Sequence, residues 1–328
     1  MAQPQQQAAP GVVRLYNFLS ADISFLGEVL AGLSAPQKTL PANYFYDTRG
    51  CALFEKICML PEYYCARAEL AIMREHAGAM AKFLEPGCQL IEFGGGSGEK
   101  TRILIEQSQP PLYVPLDLSG ETLRPAAAAL AQTFPWLNIN GVCADYRKAL
   151  KLPEFVGVPI RKKAVYVSAG IFGNFTQQQA LVLLQLARRM VGPGGALLVA
   201  VDLKKDRRAL EAAYNDAAGL SAAFNLNLLA RINRELGADF QLRRFRHQAC
   251  YLEDRGWVEM RLESLVSQLV HAGGERFAFG PGETVLTGTY CKYSIEEFHQ
   301  LAQRAGFAPA QGWNAPADLF SVQGMRAV

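Results

Sequence analysis

The 328-residue sequence has no run of about 18 uncharged apolar residues, so no segment is expected to span a membrane. It has no C-x-x-C pair: Cys51, Cys58, Cys65, Cys88, Cys143, Cys250 and Cys291 are odd in number and scattered. That pattern argues against a disulfide framework or a zinc site and predicts reduced thiols in a cytoplasmic chain, with no metal. Met1 to Pro10 lacks a basic stretch followed by an apolar one, so residues 1–11 read as a flexible tail rather than a signal peptide. Charge is sparse as well, at 19% charged residues and a net +3. A nucleic-acid partner is therefore not expected. The phosphate-binding pattern G-x-x-x-x-G-K-[ST] is also absent, leaving a nucleotide triphosphatase without support.

What is present is material for a large core, since half the residues are apolar and 10% are aromatic. From Val12 to Leu84 the apolar spacing predicts helices, interrupted by the aromatic stretches Tyr44-Phe45-Tyr46-Asp47 and Leu60-Pro61-Glu62-Tyr63-Tyr64. The middle of the chain then alternates. Strands are predicted at Gln89–Phe93, Leu112–Leu116, Leu137–Ala144, Ala164–Ser168 and Ala196–Val201, with helices among them, the one after the fourth strand opening on a Thr176–Gln179 capping box. Strand and helix at this spacing build a parallel, doubly wound α/β sheet. Residues from Lys204 to Thr289 break the alternation with a helical half and a strand-like half, and two strands near Phe307 and Leu319 close the chain.

Ligands of such sheets bind beyond the carboxyl ends of the strands. Glu92-x-Gly94-x-Gly96-x-Gly98 ends the first strand, where glycines admit a ligand close to the backbone and the next helix offers its amides. Glu99 stands where the dinucleotide fingerprint needs glycine or alanine, which disfavours a nicotinamide enzyme. Asp117, 25 residues after Glu92, ends the second strand, where a carboxylate meets a ribose diol. Asp145 ends the third, beside Cys143, Ala144 and Tyr146, and can accept from an adenine amino group. Either aspartate could instead cap the helix after it. Ribose, adenine and no pyrophosphate describe an adenosine derivative such as S-adenosylmethionine, and the three strand ends together match a class I methyltransferase (Rossmann-like) sheet. The basic clusters Lys204-Lys205-x-Arg207-Arg208 and Arg243-Arg244-x-Arg246 read as solvated helix faces.

The chain resembles the S-adenosylmethionine-dependent histidine N-alpha methyltransferases of ergothioneine biosynthesis, from about Asn43 to Met325. Besides the aromatic stretches and glycine loop, the likeness rests on Gly173-Asn174-Phe175, Asp202-Leu203-Lys204-Lys205-Asp206, Ala213-Tyr214-Asn215-Asp216, Phe224-Asn225-Leu226-Asn227 and Ile232-Asn233-Arg234-Glu235-Leu236. It implies a methyltransferase domain over 67–204 plus 292–328 and a discontinuous α+β substrate domain over 12–66 plus 205–291. It further implies that Tyr46, Glu92, Gly94, Gly96, Lys100, Asp117, Asp145 and Tyr146 bind S-adenosylmethionine. Tyr63, Asn174 and Tyr214 match positions that hold the carboxylate and amino group of the substrate, and Tyr46 and Asn174 are the candidates for orienting its nitrogen. Neutral phenol and amide groups suit a zwitterion.

The stretch Leu286-Thr287-Gly288-Thr289-Tyr290-Cys291-Lys292 departs from the family. The histidine enzymes have a glutamate at the place of Gly288 and a serine at that of Tyr290, both gripping the imidazole. Glu283 is not expected to replace that glutamate, since an offset of five residues along a strand points to the other face. Gly288 is expected to open volume, while Tyr290 and Ile171 add apolar surface; Met260 is a further expected substrate contact. The expected activity is therefore methylation of the α-amino group of a free, bulkier or aromatic amino acid, as far as the trimethyl betaine, by a monomer; L-histidine is the alternative substrate. Three other readings stay open: an RNA or protein methyltransferase, a non-catalytic binding protein and, despite Glu99, a nicotinamide oxidoreductase.

Overall fold

A computed structural model describes the chain apart from residues 1–10, 20–24, 96, 97, 119, 149, 154, 156–159 and 161. In chain order the strands are β1 (Val13–Asn17), β2 (Gln89–Phe93), β3 (Leu112–Asp117), β4 (Asn138–Cys143), β5 (Lys163–Val167), β6 (Ala196–Asp202), β7 (Phe245–Leu252), β8 (Trp257–Ser264), β9 (Gln268–Ala272), β10 (Glu275–Phe279), β11 (Thr284–Cys291), β12 (Phe307–Asn314) and β13 (Phe320–Ala327). The helices are α1 (Phe25–Ser34), α2 (Thr48–Met59), α3 (Cys65–Leu84), α4 (Glu99–Ser108), α5 (Gly120–Thr133), α6 (Ala169–Phe172), α7 (Gln177–Val191), α8 (Arg207–Tyr214), α9 (Leu220–Leu236) and α10 (Ile295–Arg304). None of them is long and apolar enough to cross a membrane.

Eight strands form one sheet in the order β1-β4-β3-β2-β5-β6-β13-β12. Strands β1 to β6 run parallel where they pair, and β13 lies antiparallel between β6 and β12. Because side chains alternate along a strand, each strand feeds two cores. Ile91, Phe93, Val165, Val167, Leu197 and Val199 pack towards α7 and α10, whereas Leu90, Tyr113, Tyr166 and Leu198 pack towards α3, α4 and α5. The Thr176–Gln179 capping box starts α7 as the sequence predicts, and a second one, Ser294 with Glu297, starts α10.

A third core joins α1, α2, α8 and α9 to β7–β11, around Phe224, Leu228, Val258, Leu262 and Val285. Its motifs explain themselves locally. Asp47 caps α2 by accepting from the Gly50 amide and also accepts from Asn227 (2.8 Å) and Arg234 (2.6 Å) on α9. Burial would raise its carboxyl, but these donors bring it below the ordinary aspartate value.

One expectation fails at the N-terminus. Val13–Asn17 is not helical but an edge strand, in parallel register with Ile139 to Cys143 of β4. The exposed edge of β4 supplied the hydrogen-bond partners that a short segment cannot supply itself. This piece of 12–66 therefore belongs to the large sheet and not to the α+β unit.

Candidate active site

The glycine loop is locked in place by what surrounds it. Gly94 has φ +71°, and its amide and that of Gly95 both donate to Leu116 O on β3, at 2.8 and 3.0 Å. A Cβ on Gly94 would lie 2.4 Å from Ile171 Cδ1, and one on Gly95 2.2 Å from Pro115 Cβ. Gly96 lies outside the described residues. Helix α4 follows Gly98, a residue with no side chain to cap it. Ile171, predicted to line the substrate pocket, packs on this loop instead and is not among the cavity-lining residues.

Behind the loop, Glu92 is 4% exposed and accepts from Thr101 Oγ1 (3.0 Å) and Tyr113 Oη (2.7 Å). Burial pushes its carboxyl up to about 7 despite these bonds. Its oxygens hold β3 and α4 to β2; sequence position suggested a ligand contact, but the geometry makes it a support for the loop. Lys100 likewise turns to a protein partner, donating to buried Glu69 at 2.7 Å, which also accepts from Tyr166 Oη at 2.6 Å. At the next strand ends, Asp117 accepts from Thr122 Oγ1 at 3.4 Å. Asp145 accepts twice from the Arg147 guanidinium, at 2.8 and 3.0 Å, so an adenine amino group would share it with Arg147. Burial would raise Asp145, and the Arg147 bonds outweigh it and hold the carboxyl low. Tyr146 stacks on Phe93, with centroids 5.6 Å apart and planes 6° apart.

Beyond β5 and β6 lies a cavity of about 630 Å³, part of it open to solvent. It brings together the predicted Tyr46, Tyr63, Asn174, Tyr214, Met260 and Tyr290, with Phe54 and Phe224. The rings form a connected wall: Tyr63 meets Tyr214 edge-on at 6.1 Å, Tyr214 lies 4.5 Å from Tyr290, and Tyr46, 43% exposed, edges Phe224 at 5.7 Å. Asn174 Nδ2 donates to Gly170 O at 2.6 Å, which leaves Oδ1 as an acceptor. Tyr214 is fixed through its backbone. Its carbonyl accepts from His247 Nε2 (2.8 Å), so His247 Nδ1 accepts in turn from Asn225 Nδ2 (2.8 Å).

Two expectations about the pocket wall are corrected. Gly288 opens no space, because a Cβ there would lie 2.8 Å from Tyr290 Oη and 2.9 Å from Cε2: the tyrosine ring fills what the glycine vacates. The strict alternation used for Glu283 also breaks, since the ladder with β8 shifts register between Leu286 and Gly288. Glu283 stays out of the cavity for another reason: its carboxylate is held by Lys38 and by the Gly280 amide (2.8 Å).

The floor of the cavity was missed from sequence, and it is charged. Asp202 ends β6 and accepts from Lys292 Nζ (2.7 Å), Lys205 Nζ (2.5 Å) and Tyr64 Oη (2.9 Å). Burial would raise Asp202, but the two ammonium groups hold it below the ordinary value. Lys205 is thus no solvated residue; its side chain is 9% exposed. Lys292 reaches Asp202 because the Cys291 amide donates to Gly173 O (2.7 Å) and the Tyr293 amide to Asp202 O (3.1 Å), tying the end of β11 to the ends of α6 and β6. Among the described residues, no group of three or more His, Cys, Asp or Glu could hold a metal ion.

A sheet ordered β4-β3-β2-β5-β6-β13-β12 with β13 antiparallel, a glycine loop after β2 and acidic ends on β3 and β4 define a class I methyltransferase. The fit to S-adenosylmethionine rests on the two glycines without room for a Cβ ahead of the α4 N-terminus and on the Asp117 carboxylate one strand over. The chain belongs to the family described as "Histidine-specific methyltransferase, SAM-dependent", whose model matches residues 25–327. It is 36% identical over 317 residues to the histidine N-alpha-methyltransferase of Mycolicibacterium smegmatis, covering 94% of this chain and 97% of that one. The Mycobacterium tuberculosis protein of the same name is 33% identical over 320 residues, covering 94% and 98%. An Aspergillus flavus protein named N-methyltransferase imqF is 28% identical over 307 residues, covering 89% and 82%. The protein is an S-adenosylmethionine-dependent N-methyltransferase.

Proposed function

We propose that the enzyme methylates the α-amino nitrogen of a free amino acid, and that L-histidine is the substrate its full-length relatives favour. The observation that supports α-amino chemistry is the lining of the cavity, which has Tyr63, Asn174 and Tyr214 beside a cationic floor. Bound S-adenosylmethionine supplies an electrophilic methyl group on a sulfonium. The Gly94 loop, Asp117, Asp145 and Tyr146 would hold it, and Glu92 and Lys100 brace that half from behind. Asn174 Oδ1 accepts an N–H of the substrate amine, which turns the nitrogen lone pair towards the methyl, with Tyr46 closing the mouth of the cavity. Holding the reactants in near-attack geometry can contribute about 7–11 kcal/mol, and the aromatic wall excludes water. In the same proposal, residues 67–204 with 292–328 bind the methyl donor, and 12–66 with 205–291, apart from β1, bind the amino acid.

A second reading, a bulkier or aromatic amino acid, is favoured by the pocket wall. Asp202 is the only carboxylate among the described lining residues, and it is already engaged by two lysines. An imidazole would meet Tyr290 and Met260 instead of an acid. Incubation with S-adenosylmethionine and each proteinogenic amino acid, read by product mass, decides between them. Best turnover of histidine supports the first reading and best turnover of an aromatic residue the second; no methylated free amino acid overturns both.

A further inference from the structure

The cavity floor sets two ammonium groups, Lys205 and Lys292, against one carboxylate, Asp202. Lys205 spends its donors on Asp202, Tyr64 Oη and Leu203 O. Lys292, whose side chain is 2% exposed, donates to Asp202 and to Tyr214 Oη at 2.8 Å. We infer that Lys292 is a positioning residue for the substrate carboxylate: it turns the Tyr214 O–H into the cavity and, with Lys205, leaves the floor one positive charge in excess, so that the site selects ligands with a free α-carboxylate.

The argument for the hydroxyl is one of donors and acceptors. An ammonium can only donate, so Tyr214 Oη must accept from Lys292 and place its own proton elsewhere. Asp202, the nearby acceptor, is bonded to Tyr64, Cys65, Lys205 and Lys292 and makes no bond to Tyr214 among the described residues. The hydroxyl proton is thereby directed to the cavity that Tyr214 lines. The argument for charge is one of screening: an excess cation away from water acts at a lower effective dielectric than one in solvent. A carboxylate balances it, a neutral amide does not, and a decarboxylated amine adds to it. Lys292 lies 90 residues from Asp202, so its place on this floor follows from tertiary structure alone.

The inference rests on the proposed amino-acid site, and its test separates the two. With the full-length enzyme at saturating S-adenosylmethionine, kcat/KM is measured for histidine and histidinamide and for phenylalanine and phenylalaninamide. The wild type is expected to prefer the acid of whichever pair it methylates. Lys292→Met should lower kcat/KM for that acid about 10- to 100-fold, chiefly through KM, lower it less for the amide so that the acid-to-amide ratio falls, and keep S-adenosylmethionine affinity by calorimetry. Tyr214→Phe, which keeps the Lys292–Asp202 pair, should erode the same acid-to-amide ratio and decides the matter if Lys292→Met does not fold. An unchanged ratio in either folded variant overturns the inference. No turnover of any acid or amide by the wild type overturns the amino-acid reading itself.

Discussion

Glu92 and Asp202 are two carboxylates of one sheet, 4% and 5% exposed, and their surroundings drive them in opposite directions. Glu92, in β2, accepts from the neutral hydroxyls of Thr101 and Tyr113 among the described residues, and burial wins, raising it to about 7. Asp202, two strands away at the end of β6, meets the same burial, but Lys292 and Lys205 outweigh it and keep the group ionised. Hydroxyl groups do not offset the desolvation of a buried carboxylate here, and two ammonium groups do. The glycine-loop half of the site is therefore braced by a group able to take up a proton near neutrality. The cavity half stands on fixed charges.

The strongest challenge to this contrast is Asp202→Asn. It strands two ammonium groups in the floor and should cost about 3–5 kcal/mol in urea unfolding, with Asp202→Asn/Lys292→Met less damaged than the sum of the single changes. Additive losses would mean that the cluster does not act as a unit. Next comes Glu92→Gln. A raised acid contributes stability that is complete below its unfolded value near 4.5 and is lost as pH rises through about 7. The variant should flatten that fall, on the order of 3 kcal/mol between those limits, as read by unfolding at a series of pH values. Equal slopes for the two proteins would place Glu92 among ordinary carboxylates.

The pocket wall gives a third test. Gly288→Glu alone should lose activity because the new side chain runs into the Tyr290 ring. Together with Tyr290→Ser it should move the ratio of kcat/KM for histidine over phenylalanine upward by about 10- to 100-fold. The smallest effect is expected from Gly94→Ala. The left-handed backbone there should weaken S-adenosylmethionine binding roughly 5- to 30-fold by calorimetry, without moving the acid-to-amide preference.

The two halves also differ in how well they can be read from the chain. Glu92, Asp117 and Asp145 sit at the ends of strands whose apolar runs are legible, so their neighbourhood follows from α/β topology. Which way each side chain turns is another matter: Asp145 to Arg147, Lys100 to Glu69 and Ile171 to Gly94 are local choices of packing. Lys205 was misread because it sits in a Lys-Lys-Asp-Arg-Arg run, which resembles a solvated face until Asp202 and Tyr64 enclose it. The side-chain pocket was misread because a period of two leaves no place for the register shift after Leu286.

By itself the sequence determined the order of strands and helices in the doubly wound sheet, the glycine loop and the family, since apolar periodicity, turn residues and caps act over a few neighbouring positions. Only the tertiary structure decided that Val13–Asn17 would be a strand, that Tyr290 would occupy the space beside Gly288, and that Lys292 would meet Asp202. Each of these depends on partners distant in the chain, brought together by packing and by the desolvation that forces buried charges to pair.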